Sequence, residues 1–168
     1  LMARRKRRAA KKRKVEWSKV VCLLAMLVCL PRAAAAEAID PERAGSLTIQ
    51  AEREGQAIPG MGFAIYYAAS VDPYGEYTLA GDFREDNVVL DDQNWSAVAR
   101  TLANIAQRDG RKPLDQGTTD ENGRLTFPTG EGIRLTAGLY LVVASPRYHG
   151  SYTDRAEPYL VALPDLDR

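Results

Sequence analysis

Short alternations of apolar and polar residues recur along the chain from residue 45 onward. In SLTIQAE, Leu47, Ile49 and Ala51 alternate with polar residues, which is the two-residue period of a half-buried strand. The same period recurs in MGFAIYYAA, YTLAGDF, RLTF and YLVALP, whereas GLYLVVAS is almost continuously apolar and predicts a central strand. Glycine, proline and asparagine separate these runs, so the pattern predicts an all-β sandwich or barrel.

One segment has a helical period instead. In DDQNWSAVARTLANIAQRDG the apolar residues recur at intervals of three and four, and they are Trp95, Val98, Ala99, Leu102, Ile105 and Ala106. Asn94 or Asp92 can cap the first turn, and Gly110 stands where a left-handed residue would end the helix. We therefore expect a single amphipathic helix inserted between strands.

The stretch GTTDENGRLTFPTG admits two interpretations. A calcium loop would use Asp120, Asn122 and Glu131 as oxygen ligands, but Gly123 comes too early for that loop's turn and a strand pattern runs through its middle. Asn-Gly is instead the dipeptide that most readily adopts the positive φ angles of a tight hairpin. The sequence therefore predicts a plain hairpin here and no metal site.

The amino-terminal part of the chain has the order of segments found in secretory signals. Ten of the first 19 residues are Lys or Arg, and residues 20–30 are uninterruptedly apolar before Pro31 and a run of small residues. An apolar segment of this length rises only about 16 Å as a helix, which is too short for a hydrocarbon core of roughly 30 Å. The segment is therefore expected to direct export and not to span a membrane.

These features predict a secreted or cell-surface protein. A signal peptide is expected over residues 1–36, cleaved after Ala36 or Ala38, then a polar lead-in over 37–44 and one β-sandwich domain over 45–168. An uncleaved membrane anchor is the alternative. Contact with a membrane is expected only through the leader, before it is cleaved.

Charge and cysteine content narrow the possible partners. From residue 37 onward, twelve basic residues face 21 acidic ones, a net charge of −9, so no basic surface is available for nucleic acid. Both cysteines, Cys22 and Cys29, lie in the apolar segment, and the bulky Val28 argues against a lipoprotein site at Cys29. The mature chain is therefore expected to fold without a disulfide.

Few residues indicate chemistry. Motifs of serine hydrolases, phosphate loops and dinucleotide sites are absent, and nothing in the sequence joins Asp120 and Glu131 as a catalytic pair. We expect neither an enzyme nor a cofactor. The single histidine, His149, lacks companion ligands for a metal, but with Tyr148 and Tyr152 it forms a possible ligand surface in the predicted polar loop PRYHGSYTDRAEP.

The order of these elements resembles a known family. The chain contains, in order, GSLTI, IPGMGFAIYYAA, YTLAGDF, a Trp-led helix, GTTDENGRLTFPTG, GLYLVV and PYLVALP. This order is similar to that of the N-terminal domain of Gram-positive surface pilin subunits, the SpaA-type, Cna B-type group, over residues 45 to about 164. The resemblance implies a prealbumin-like or Ig-like Greek-key β-sandwich with one inserted helix. It also implies export, polymerisation with other pilin subunits by a sortase, and attachment to the cell wall.

The chain also departs from that family. Many of its domains join a lysine on the first strand to an asparagine on the last, assisted by a buried carboxylate. Here the first strand has Gln50 and Glu52, the last has no asparagine, and Lys112 is the only lysine after the leader. The carboxylate position falls at Ala144 or Ser145. Amide formation needs amine, acceptor and acid in contact, so we predict no internal isopeptide bond.

Two functions follow as expectations. The resemblance implies a structural subunit of a sortase-assembled pilus or fibre involved in adhesion, although the YPK polymerisation motif and the LPxTG sorting signal are absent. We therefore expect this chain to be the first domain of a longer protein. The alternative is a secreted or wall-attached adhesin that recognises a host protein or glycan through its helix face and residues 144–158. Exposed tyrosines beside that loop would favour the alternative.

Overall fold

The computed structural model describes residues 38–164, so the predicted signal peptide and its cleavage site at Ala36 lie outside the described residues. The strands are β1 (Leu47–Gln50), β2 (Glu52–Arg53), β3 (Gln56–Ala57), β4 (Gly62–Val71), β5 (Tyr77–Leu79), β6 (Asp115–Thr118), β7 (Arg124–Phe127), β8 (Gly138–Ala144), β9 (Arg147–His149), β10 (Tyr152–Asp154) and β11 (Tyr159–Leu163). Helix α1 is Trp95–Arg108. The described part is therefore all-β with one helix, as the hydrophobic pattern predicts.

The main sheet has the strand order β11-β8-β4-β5, with β6 also paired to β4, and its pairs are antiparallel. Strand β8 lies between β11 and β4, which confirms that GLYLVV forms a central strand. A smaller sheet consists of β1 and β7, paired from Leu47 with Phe127 to Gln50 with Arg124. Two short hairpins, β2–β3 and β9–β10, complete the strands.

Alternating side chains place one core on each face of the main sheet. The inner core joins the small sheet to β4 and β8 through Ile49, Phe127, Phe63 and Tyr140, among others. On the opposite face, Leu102 and other apolar residues of α1 pack against the main sheet. The helix thus covers the face that the small sheet leaves open.

The turn at residues 120–123 is present, but its flanking strands do not form the expected hairpin. Strand β6 pairs with β4 in the main sheet, whereas β7 pairs with β1 in the small sheet. Gly123 has φ of 72°, and a Cβ there would lie 2.3 Å from the Ala51 carbonyl oxygen, so only glycine fits. The turn therefore connects two sheets, a consequence of long-range pairing that local turn chemistry does not specify.

Two other predicted segments differ in detail. The strand expected over YTLAGDF ends at Leu79, after which Gly81–Phe83 forms a 3-10 turn that buries Phe83 against the helix layer. The polar loop expected after β8 is in fact the β9–β10 hairpin, with His149 paired to Tyr152. Both segments are short, so their alternation is too brief to distinguish a strand from a turn.

The helix boundaries agree with the sequence prediction. Asn94 is the N-cap, and its side-chain oxygen accepts a hydrogen bond from the Ala97 N–H at 3.3 Å. Gly110 follows the helix with φ of 61°. Trp95 is only half-buried and contacts Tyr77 edge to face at 6.1 Å between ring centroids. No helix among residues 38–164 has the length and apolar character needed to cross a bilayer.

Candidate functional site

A cleft of about 320 Å³ opens between the small sheet and the β10–β11 segment. One wall is the extended stretch 49–53, and the other runs from Thr153 to Tyr159. The floor is apolar and consists of Ile58, Met61 and Phe63. This volume lies within the range of about 300–1,000 Å³ found for small-ligand sites.

An ion-pair cluster holds the β9–β10 hairpin against the cleft. Arg53 donates from Nη1 to Asp154 Oδ1 at 2.7 Å, and Arg147 Nη1 lies 3.8 Å from Asp154 Oδ2. The Asp154 side chain is only 7% exposed, so these contacts compensate for its burial. The Arg53 guanidinium also lies over the Tyr152 ring, 5.9 Å from its centroid.

The three predicted ligand-surface residues share the hairpin but not one face. His149 and Tyr152 are cross-strand partners, so their side chains lie on the same face of the hairpin. Tyr148 is paired with Thr153 and lies on the opposite face. Tyr148 is 73% exposed and Tyr152 67% exposed. The tyrosines that would distinguish the two expected functions are therefore exposed.

Two further polar groups at the mouth of the cleft are available to a ligand. Tyr159 makes no side-chain hydrogen bond among the described residues, and burial raises the pKa of its phenol above the usual value. Arg155 is exposed and takes part in no ion pair within residues 38–164. A phenol and a guanidinium can both donate hydrogen bonds to a bound molecule.

The residues considered for metal binding and crosslinking are dispersed. Asp120 Oδ1 accepts hydrogen bonds from the N–H groups of Asn122 and Arg124, so its carboxylate stabilises its own turn. Lys112 is exposed between α1 and β6, and Ala144 ends the β8 strand. Within the described residues, no group of three or more His, Cys, Asp or Glu side chains is placed to hold a metal.

Sequence reasoning missed the ion pair that positions the hairpin. Arg53 and Asp154 are 101 residues apart, and no local pattern links residues at that separation. It also missed Asp115, a buried carboxylate that accepts hydrogen bonds from Thr129 N at 2.7 Å and Thr129 Oγ1 at 2.6 Å. Both acids stabilise segments that connect strands, and only the folded chain brings their partners together.

Comparison of the chain with models of known protein families gave no match, and comparison with curated proteins gave no relative.

Proposed function

We propose that this protein is an exported, surface-displayed binding module that recognises an extracellular protein or glycan through the cleft and the β9–β10 hairpin. The observation that supports this function is the exposure of Tyr148 and Tyr152 on a hairpin that borders the cleft. Aromatic side chains expose a large contact area at a low cost in conformational entropy, and they are enriched among residues that dominate binding energy.

The cleft adds an apolar surface and hydrogen-bond donors to the contact area of the exposed rings. Its apolar floor can take up a hydrophobic group, while Tyr159 and Arg155 offer hydrogen-bond donors at the mouth. The contact of Arg53 with both Asp154 and Tyr152 holds the hairpin in one orientation. A preorganised surface of this kind loses less entropy on binding than a mobile loop does.

Removal of one exposed ring tests the proposal. The protein is applied to arrays of immobilised glycans and extracellular matrix proteins, and the affinity for each bound probe is measured with Tyr152→Ala beside the wild type. We expect the substitution to weaken binding by about tenfold or more, as is typical for an aromatic residue central to an interface.

Tyr74→Ala is the matched control, because Tyr74 is 91% exposed and lies between β4 and β5, outside the residues that line the cleft. Its affinity should equal that of the wild type. Wild-type protein that binds no probe, or equal binding by Tyr152→Ala and the wild type, would refute the binding module.

A structural subunit of a sortase-assembled pilus, with the Greek-key prealbumin-like fold that the sequence resemblance implies, is the second candidate. Its support is the all-β class together with two unpaired sheet edges. Among the described residues β1 pairs only with β7, and β11 pairs only with β8. Unpaired edges offer backbone hydrogen-bonding groups to a neighbouring chain, which is the contact that stacked subunits require.

A further inference from the structure

Among the described residues, strand β1 has one edge that is not paired with another strand. Its register with β7 shows which residues have their N–H and C=O groups on that edge. Beyond the end of β1, the Ala51 N–H donates to the Gly123 carbonyl oxygen at 2.7 Å, in register with the pairing of Ile49 and Leu125. Hydrogen-bonded and non-bonded pairs alternate along an antiparallel ladder. The N–H and C=O groups of Thr48 and Gln50 therefore point away from β7, and within residues 38–164 they have no backbone partner.

The free edge borders the cleft because the two sheets differ in width. The small sheet has two strands and the main sheet has five. On the facing strand β11, Val161 and Leu163 belong to the inner core but are only partly buried, and Tyr159 is exposed at the mouth. Gln50 and Tyr159 line the cleft on its two walls, so the unpaired groups of Gln50 border it.

The shape of the cleft suits an extended chain. A Cβ at Gly45 would lie 3.7 Å from Leu163 Cδ1, so β1 and β11 come together at that end. At the other end the Arg53–Asp154 ion pair joins the two walls, and the cavity lies between these two contacts. A strand rises about 3.3 Å per residue, so the wall formed by residues 49–53 matches a segment of similar length.

We propose that the cleft binds an extended peptide of a partner protein as an added strand on the free edge of β1. The peptide backbone pairs with Thr48 and Gln50, and one of its aliphatic side chains enters the floor beside Met61 and Phe63. This proposal rests on the proposed binding function and names the ligand class for the same site. Main-chain pairing provides affinity in strand addition, and the side-chain pocket provides specificity.

The charge at the mouth of the cleft indicates that the bound peptide has an acidic residue next to its aliphatic residue. Arg155 has no ion-pair partner among the described residues, and Asp154 is already engaged by Arg53 and Arg147. Glu52 also lines the cleft, but it belongs to the wall formed by residues 49–53, whereas Arg155 belongs to the opposite wall. A carboxylate entering beside Arg155 thus meets an uncompensated positive charge.

A backbone substitution separates strand addition from side-chain recognition. Gln50→Pro removes the outward N–H and leaves the bonds to β7 in place, because proline is tolerated at an edge position whose N–H faces solvent. The probe is an array of short overlapping peptides from extracellular matrix proteins. We expect Gln50→Pro to weaken binding of the selected peptides about tenfold, whereas Gln50→Ala, which keeps the N–H, should bind as the wild type does.

Amide hydrogen exchange of the wild-type protein, measured with and without a selected peptide, provides a second readout. It does not depend on whether a variant folds. The Thr48 and Gln50 amides should exchange rapidly in the free wild-type protein and become protected when the peptide binds, while the Ile49 amide is protected in both states. Unchanged exchange at both amides, or equal peptide binding by Gln50→Pro and Gln50→Ala, would overturn strand addition. Binding confined to glycans would also overturn it, yet Tyr152-dependent glycan binding would leave the proposed function intact.

Discussion

Tyr140 is a buried polar residue in the inner core. It is 1% exposed, its hydroxyl donates to the Thr136 carbonyl oxygen at 2.7 Å, and its ring lies 5.3 Å from that of Tyr67. Burial raises the pKa of the Tyr140 phenol to about 12. The folded state therefore favours the neutral phenol more strongly than the unfolded state does.

The raised pKa of Tyr140 predicts a loss of stability in alkali. The contribution is complete below the unfolded pKa of about 10 and is lost as pH rises toward 12. We expect Tyr140→Phe to lower the free energy of unfolding by about 1 kcal/mol at neutral pH through the lost hydrogen bond. The difference between the two proteins should shrink or reverse above pH 10 in urea unfolding, and a difference that does not vary with pH would contradict this account.

Helix α1 is held at its apolar stripe and at its carboxyl-terminal end. Leu102 is fully buried against the main sheet. After the helix, Arg111 donates from Nη2 to Asp86 Oδ1 at 2.9 Å, and its guanidinium lies 4.8 Å from the centroid of the Phe83 ring. The 3-10 turn that replaces the end of the expected strand is thus held next to the end of the helix.

The extent to which each side chain of α1 is buried predicts how much its removal lowers the free energy of unfolding. We expect Leu102→Ala to lower the free energy of unfolding by about 2–5 kcal/mol, because it leaves a cavity between helix and sheet. Trp95→Ala should cost less than the ~3–5 kcal/mol expected for a fully buried ring, since Trp95 is half-buried. Urea unfolding measures both, with exposed Arg100→Ala as the control. A larger loss for Trp95→Ala than for Leu102→Ala would contradict this packing.

At the scale of the whole molecule, processing and polymerisation can be measured on the protein made by its own cells. We predict cleavage after Ala36 or Ala38, which would give a defined intact mass, and no internal isopeptide bond, so that no ammonia should be lost from that mass. The pilus candidate predicts, in addition, a ladder of heat-resistant polymers in the cell-wall fraction. A single species released into the medium would exclude polymerisation and leave the binding module.

Several elements were predictable because their determinants are local. Alternation identifies β1, β4, β7 and β11, and the intervals of three and four identify α1 together with its Asn94 cap. The Asn122-Gly123 turn is likewise encoded by the backbone preference of two residues. The β9–β10 hairpin was not predicted, because three-residue strands are too short to show a period.

Side-chain periodicity and turn preference depend only on near neighbours, so the sequence alone predicts an all-β domain with one helix for the part of the chain that the structure describes. The tertiary structure decided which strands pair, that the turn at 120–123 links two sheets, and that Asp154 reaches Arg53 across 101 residues. It also left the edge of β1 free beside a cleft. These features depend on long-range hydrogen bonding and packing, whose partners are set by the fold as a whole.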